Sequence, residues 1–161
     1  MGIDPGSLKM GFGLLEDRPG RPPLLLECGV LAPKAELALP ERLLFMFNGL
    51  QKLLSSFTPQ EMALENVFVG RNVKTAFVLG QARGIALLAA AQAGLSIFEY
   101  APTTVKKALS GSGASSKQQV KHMVCRLLSV ELADAPLDAS DALSLALCHL
   151  HSRSFYMRGL L

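Results

Sequence analysis

Cysteine is scarce in this chain. Its three thiols, Cys28, Cys125 and Cys148, lie far apart and match no zinc-ligand spacing. A zinc finger or ribbon is therefore excluded, and the thiols are expected to be core or surface fillers. A long apolar run is also lacking. The longest, around residues 85–91, follows Arg83 and stops at Gln92, too short to span a bilayer and better suited to a buried helix. No cationic leader precedes an apolar block at the start, where a carboxylate stands at position 4, so no export signal is expected. Together with an odd number of scattered thiols, this points to a reducing cytoplasm. Internal repeats and low-complexity segments are absent too.

What is present suits one domain. A length of 161 residues, half of them apolar, supports a single sizeable core spanning 1–161. The formal net charge is only +3, but it is unevenly spread. Between Arg71 and Arg126 lie eight basic residues, Arg71, Lys74, Arg83, Lys106, Lys107, Lys117, Lys121 and Arg126, against the single acid Glu99, a net +7. A basic segment of this kind can neutralise phosphates and release their counterions; it can equally be a solvated helix face.

The periodicity predicts a very short strand from Met1 to Ile3 ending at Asp4, then strands at 11–16 and 24–31 joined by a Pro/Gly-rich turn. Short connections imply an antiparallel meander. A helix follows from Pro40 to about Phe57, carried by Leu43, Leu44, Phe47, Leu50, Leu53 and Leu54. A short strand at 62–65, a long helix at 74–93 closed by Gly94, and a strand at 95–100 come next. The remainder reads as helices at 103–109, from a Ser115 or Ser116 cap to about Ser129, and from near Asp138 to about Ser152. This order predicts an α/β fold, a mixed five-stranded sheet (antiparallel meander plus parallel strands) flanked by helices. By analogy, that is the ribonuclease H-like arrangement.

Four carboxylates stand out by position. Asp4 follows the first strand and Glu65 closes the fourth, so adjacent strands would bring both to one edge of the sheet. Asp138 and Asp141 are three apart at a helix start, on nearly one face, where the helix dipole favours acids. Gathering four anions costs free energy unless cations neutralise them. Hard oxygen ligands with no Cys or His set favour magnesium or manganese, and a pair of such ions about 3.5–4 Å apart can hydrolyse a phosphodiester. Taken singly, each acid also has a plain reading: a turn former at Asp4, a strand-end acid at Glu65, a cap and a solvated helix residue at Asp138 and Asp141. His122, His149 and His151 are read as ordinary helix residues. Gly80 and Gly84, four apart on the long helix, cost roughly 1 kcal/mol each against alanine. They permit either a second subunit or the chain's own sheet to come close.

The sequence resembles the RuvC family of bacterial Holliday-junction resolvases. The matching segments, in order, are Gly2-Ile3-Asp4-Pro5-Gly6-Ser7, Leu64-Glu65-Asn66-Val67-Phe68, Leu79-Gly80-Gln81-Ala82-Arg83-Gly84, Val105-Lys106-Lys107, Gly111-Ser112-Gly113, Lys117 with Gln119-Val120, and Asp138-Ala139-Ser140-Asp141-Ala142-Leu143. The resemblance implies a homodimeric endonuclease that makes paired nicks across four-way junction DNA, leaving 5′-phosphate and 3′-hydroxyl ends. It places the metal and catalytic ligands on Asp4, Glu65, Asp138 and Asp141, binding two Mg2+ ions (or Mn2+). It puts a base-stacking aromatic at Phe68 and phosphate contacts at Lys106 and Lys117, and it implies a branch-migration partner complex of the RuvA and RuvB type. Charge alone extends the DNA contacts to Lys107 and Lys121, with Arg71 and Lys74 as weaker ones, and Gly80 and Gly84 are assigned to the dimer interface. Two features depart from the family pattern. Only Met1 precedes Gly-Ile-Asp-Pro-Gly, so the first strand is expected to be clipped, and Asn66 stands where glutamine or another acid is common.

Three other readings remain. A related nuclease could act on structured RNA, or a binding module could carry a degenerate metal site. Gly-Ile-Asp-Pro-Gly-Ser also resembles the first phosphate loop of actin-like ATP-binding proteins, but those need two such domains.

Overall fold

The computed structural model describes residues 1–6, 8–66, 73–132 and 135–157. Five strands and five helices follow one another as β1 (Gly2–Pro5), β2 (Met10–Glu16), β3 (Leu24–Leu31), α1 (Leu39–Phe57), β4 (Glu61–Glu65), α2 (Val73–Gln92), β5 (Ser96–Tyr100), α3 (Pro102–Ser110), α4 (Lys117–Leu128) and α5 (Leu137–Met157). The sheet order is β3-β2-β1-β4-β5. β1 and β2, and β2 and β3, pair antiparallel, while β1 with β4 and β4 with β5 pair parallel. This is the mixed sheet that the sequence predicts, with β1 short but central.

Local signals explain the element ends. Pro40 lies in the first turn of α1, where a missing N–H costs nothing. The Glu41 carboxylate accepts a hydrogen bond from the Ala38 N–H at 2.9 Å. Thr58 closes the helix in a left-handed conformation and Pro59 follows. Ser116 caps α4: its hydroxyl accepts from Gln119 N–H at 3.3 Å, and the Gln119 side chain accepts from Ser116 N–H at 2.8 Å.

The two faces of the sheet differ because side chains alternate along a strand. Ile3, Met10, Phe12, Leu14, Met62 and Leu64 are buried in one core cluster with Met46, Leu50 and Leu54 of α1 and the alanines of α2. On the opposite face, β1 and β2 carry almost no side chain. Gly2 pairs with Gly13, and Asp4 pairs with Gly11. α5 fills that space. A Cβ on Gly2 would overlap the Ala142 carbonyl, and one on Gly11 would overlap the Asp138 carbonyl. α3 and α4 then pack outside α5, with Val105, Leu109, Val120, Val124 and Leu128 joining Leu143 and Leu147 in a second core.

Substituting Gly11→Ala must therefore push the first turn of α5 off the sheet. We expect a loss of roughly 1–3 kcal/mol, the usual cost of overpacking, measured by urea unfolding. An unchanged midpoint would contradict this packing.

Candidate functional site

Pairing of Ile3 with Leu64 in parallel register puts the next residues, Asp4 and Glu65, side by side at one edge of the sheet. α5 begins at Leu137, so Asp138 lies inside its first turn rather than at the cap, and Asp141 lies one turn on. Contact of the Asp138 backbone with Gly11 brings this helix start over Asp4. Asp4, Glu65 and Asp141 thereby line one cavity of about 260 Å³, shared with Lys106 of α3 and Lys117 of α4. Asp138 does not line it, though its charge acts on Asp4.

The electrostatics are those of crowded anions. Burial, then Asp141 and Glu65, push the Asp4 carboxyl up from 3.8 to about 7, with Lys117 opposing. Glu65 is raised by burial and then by Asp141, against Lys117 and Lys106. Lys117 Nζ donates to Asp141 Oδ2 at 2.6 Å. Among the described residues, no three Asp, Glu, His or Cys side chains lie close enough together to hold a metal ion without moving. Anions with one ammonium between them stay apart. A set of hard oxygen donors around a half-buried aspartate, with one ammonium against three carboxylates, nevertheless fits a hard divalent cation.

The sequence matches the family model of the crossover junction endodeoxyribonuclease RuvC over residues 1–149. The chain belongs to the RuvC family. It is 50% identical over 154 residues to the crossover junction endodeoxyribonuclease RuvC of Halorhodospira halophila, covering 96% of this chain and 90% of that protein. It is 43% identical over 158 residues to the one from Roseiflexus sp. (strain RS-1), covering 98% and 94%. Among solved structures, that of T. thermophilus RuvC in complex with Holliday junction substrate superposes with a TM-score of 0.90 at 32% identity, covering 96% of this chain and 94% of that one. The fold is the ribonuclease H-like one of these resolvases, and the chain is a crossover junction endodeoxyribonuclease.

The other residues singled out from the RuvC-like sequence divide into groups. Phe68 and Arg71 lie outside the described residues. Lys74 and Lys107 are exposed and do not line the cavity. Lys121 is turned inward: its Nζ donates to the Ala135 carbonyl at 3.0 Å, tying α4 to the segment before α5. That tether serves the fold at a residue read as a phosphate contact from charge alone. Gly80 and Gly84 have nothing within 4 Å of an added Cβ. Close packing of these glycines on the chain's own sheet is therefore overturned; they face outward.

Two residues carry more than their sequence reading allowed. Arg83, read from the sequence as part of the basic middle and of a family-matching segment but given no role, is largely buried. It donates to the Glu65 carbonyl at 2.8 Å and pairs with Glu99 at 2.6 Å, pinning the end of β4 that carries Glu65. His149 is not an ordinary helix residue. It is buried, with Nδ1 hydrogen-bonded to the Tyr100 hydroxyl at 2.7 Å and Nε2 to Glu61 Oε2 at 2.9 Å. Burial holds its pKa below the ordinary value, against the pull of Glu61, and the neutral ring locks α5 to β4 and β5. Its spacing from Ala142 and Ala146, on the buried face of the helix, was the available signal.

Because the folded pKa of Asp4 is raised, its protonated form favours folding. That contribution is complete below about pH 4 and is lost as pH rises through about 7. In chelator-treated protein, Asp4→Asn should melt with the wild type near pH 4 and several degrees above it near pH 8. A difference independent of pH would contradict the crowding of Asp4.

Proposed function

We propose that this protein resolves four-way (Holliday) DNA junctions by paired symmetric nicks, acting as a homodimer through metal-dependent phosphodiester hydrolysis in recombination and repair. The observation that carries this reading is the convergence of Asp4, Glu65 and Asp141 with Lys106 and Lys117 on one cavity, in a chain of the RuvC family. The T. thermophilus relative is described in complex with a Holliday junction substrate.

Asp4, Glu65 and Asp141, with Asp138 at the margin, would hold two Mg2+ or Mn2+ ions. Such ions, when bound, lower the pKa of water and stabilise charge on a departing oxygen. The protein's own share is to fix the ligands on rigid elements: Asp4 on the central strand, Glu65 pinned by Arg83, and the α5 pair seated by Gly11. Lys106 and Lys117 stand where a phosphate diester would enter, and their ammonium groups offset its charge. The bond made is from water oxygen to phosphorus and the bond broken is to the 3′ oxygen, which takes up a proton and leaves a 5′-phosphate end.

A dimer suits a substrate with two equivalent strands. Support comes from α2, where Phe77, Gly80, Gln81, Gly84 and Leu88 are all exposed at helical spacing. Exposed apolar side chains flanking two glycines make a face that a second helix can approach closely. Phe68 is proposed as the base-stacking aromatic, worth roughly 1–3 kcal/mol, and Arg71, Lys74 and Lys107 as outer phosphate contacts. A branch-migration complex of the RuvA and RuvB type is the proposed partner. Among the described residues no helix is long and apolar enough to cross a membrane, and a cytoplasmic site of action is proposed.

On a supercoiled plasmid carrying a cruciform, two nicks in one encounter give linear product, whereas one gives an open circle. Wild-type protein with magnesium should yield mainly linear product and leave linear duplex and structured RNA intact. Asp4→Asn should lower nicking by about 10²–10³-fold, as loss of an electrostatic catalytic group does, while junction binding persists. Equal cutting of all three substrates would sink the junction reading, and unchanged nicking by Asp4→Asn would sink the site.

A further inference from the structure

We infer that Lys117 is a built-in counter-ion of the ligand set: without metal its ammonium is held on Asp141, and an entering divalent cation has to displace it. This deepens the proposed metal site and rests on that reading.

Three observations carry it. The ion pair is short, 2.6 Å between Nζ and Asp141 Oδ2, and it joins the start of α4 to the start of α5. Asp141 is itself among the carboxylates lining the cavity, so one carboxylate oxygen cannot serve the ammonium and a metal fully at once. Lys117 is also the first residue of α4, where the positive end of the helix dipole opposes a cation. Nothing in its own helix rewards a lysine there; the partner across the cavity does. Its side chain is 65% exposed against 24% for Asp141, so burial does not trap it, and release needs only rotation of a flexible stem.

The consequence is an exchange of partners. While Lys117 occupies Asp141, the free protein binds metal weakly. When Nζ leaves, it stands at the mouth of the same cavity and can meet a phosphate oxygen. Metal loading and phosphate capture are then linked in both directions, because each ligand favours the arrangement in which Nζ has left Asp141. The device keeps the site under-loaded until DNA arrives. Lys106, which also acts on Glu65 electrostatically but forms no ion pair with a carboxylate among the described residues, is the internal comparison.

The test is Mn2+ binding to DNA-free protein, read by calorimetry or by the electron paramagnetic resonance signal of free Mn2+. Lys117→Met should bind Mn2+ roughly tenfold more tightly than wild type, and Lys117→Arg, which keeps the charge, should stay within about twofold. Lys106→Met should gain less than Lys117→Met. A Lys117→Met affinity equal to or weaker than wild type overturns the counter-ion role, as does a gain no greater than that of Lys106→Met. Mn2+ binding indifferent to Asp4→Asn would overturn the metal site itself, and the counter-ion role with it, so the two failures are distinct.

Discussion

The close approach of α5 to a side-chain-free patch of β1 and β2 is the constraint on which the rest depends. Gly2 and Gly11 leave no room for even a methyl group beneath the helix, so backbone meets backbone there, and Gly13 sits under the Leu143 side chain. That contact sets the axial position of α5, and with it the placement of Asp138 and Asp141 above Asp4. His149, two turns further along, fixes the same helix against β4 and β5 through Tyr100 and Glu61. The site is thus held by contacts at the start and the middle of one helix, on elements rather than on loops, as precise positioning requires.

The cost of that geometry is electrostatic. Asp4 is placed in a half-buried position beside two other carboxylates, which raises its pKa by burial first and repulsion second. A fold does not hold such a cluster for stability; the arrangement becomes favourable only with cations in it. In the free protein Lys117 supplies one such charge. The lysines nearest the acids partly neutralise them and are proposed to meet phosphate as well, while Arg83 and Lys121 hold the scaffold.

Much of the fold was legible in the sequence because its signals are local. The strand signals at 11–16 and 24–31, Pro40 and Pro59 bracketing α1, and the Ser116 cap each act within a few residues. The carboxylates were individually visible, but their convergence depends on pairing β1 with β4 and on seating α5 over Gly11, contacts between segments far apart in the chain. Spacing alone left each acid with a plain alternative, and the family resemblance joined them. Side-chain partners were least legible. Arg83, Lys121 and His149 look like unremarkable surface or helix residues until the tertiary contacts assign them a carbonyl, a carboxylate or a hydroxyl. Gly80 and Gly84 were ambiguous for the same reason, since sequence does not say which face of α2 points outward.

Asp4, Glu65 and the two α5 aspartates are proposed to form one metal site. Crystals grown with Mn2+ and measured at its absorption edge test it most directly. Anomalous density is expected in the cavity bounded by Asp4, Glu65 and Asp141, with the Lys117 ammonium moved off Asp141. Manganese bound elsewhere on the molecule, with that cavity empty and the Lys117–Asp141 pair intact, would contradict it.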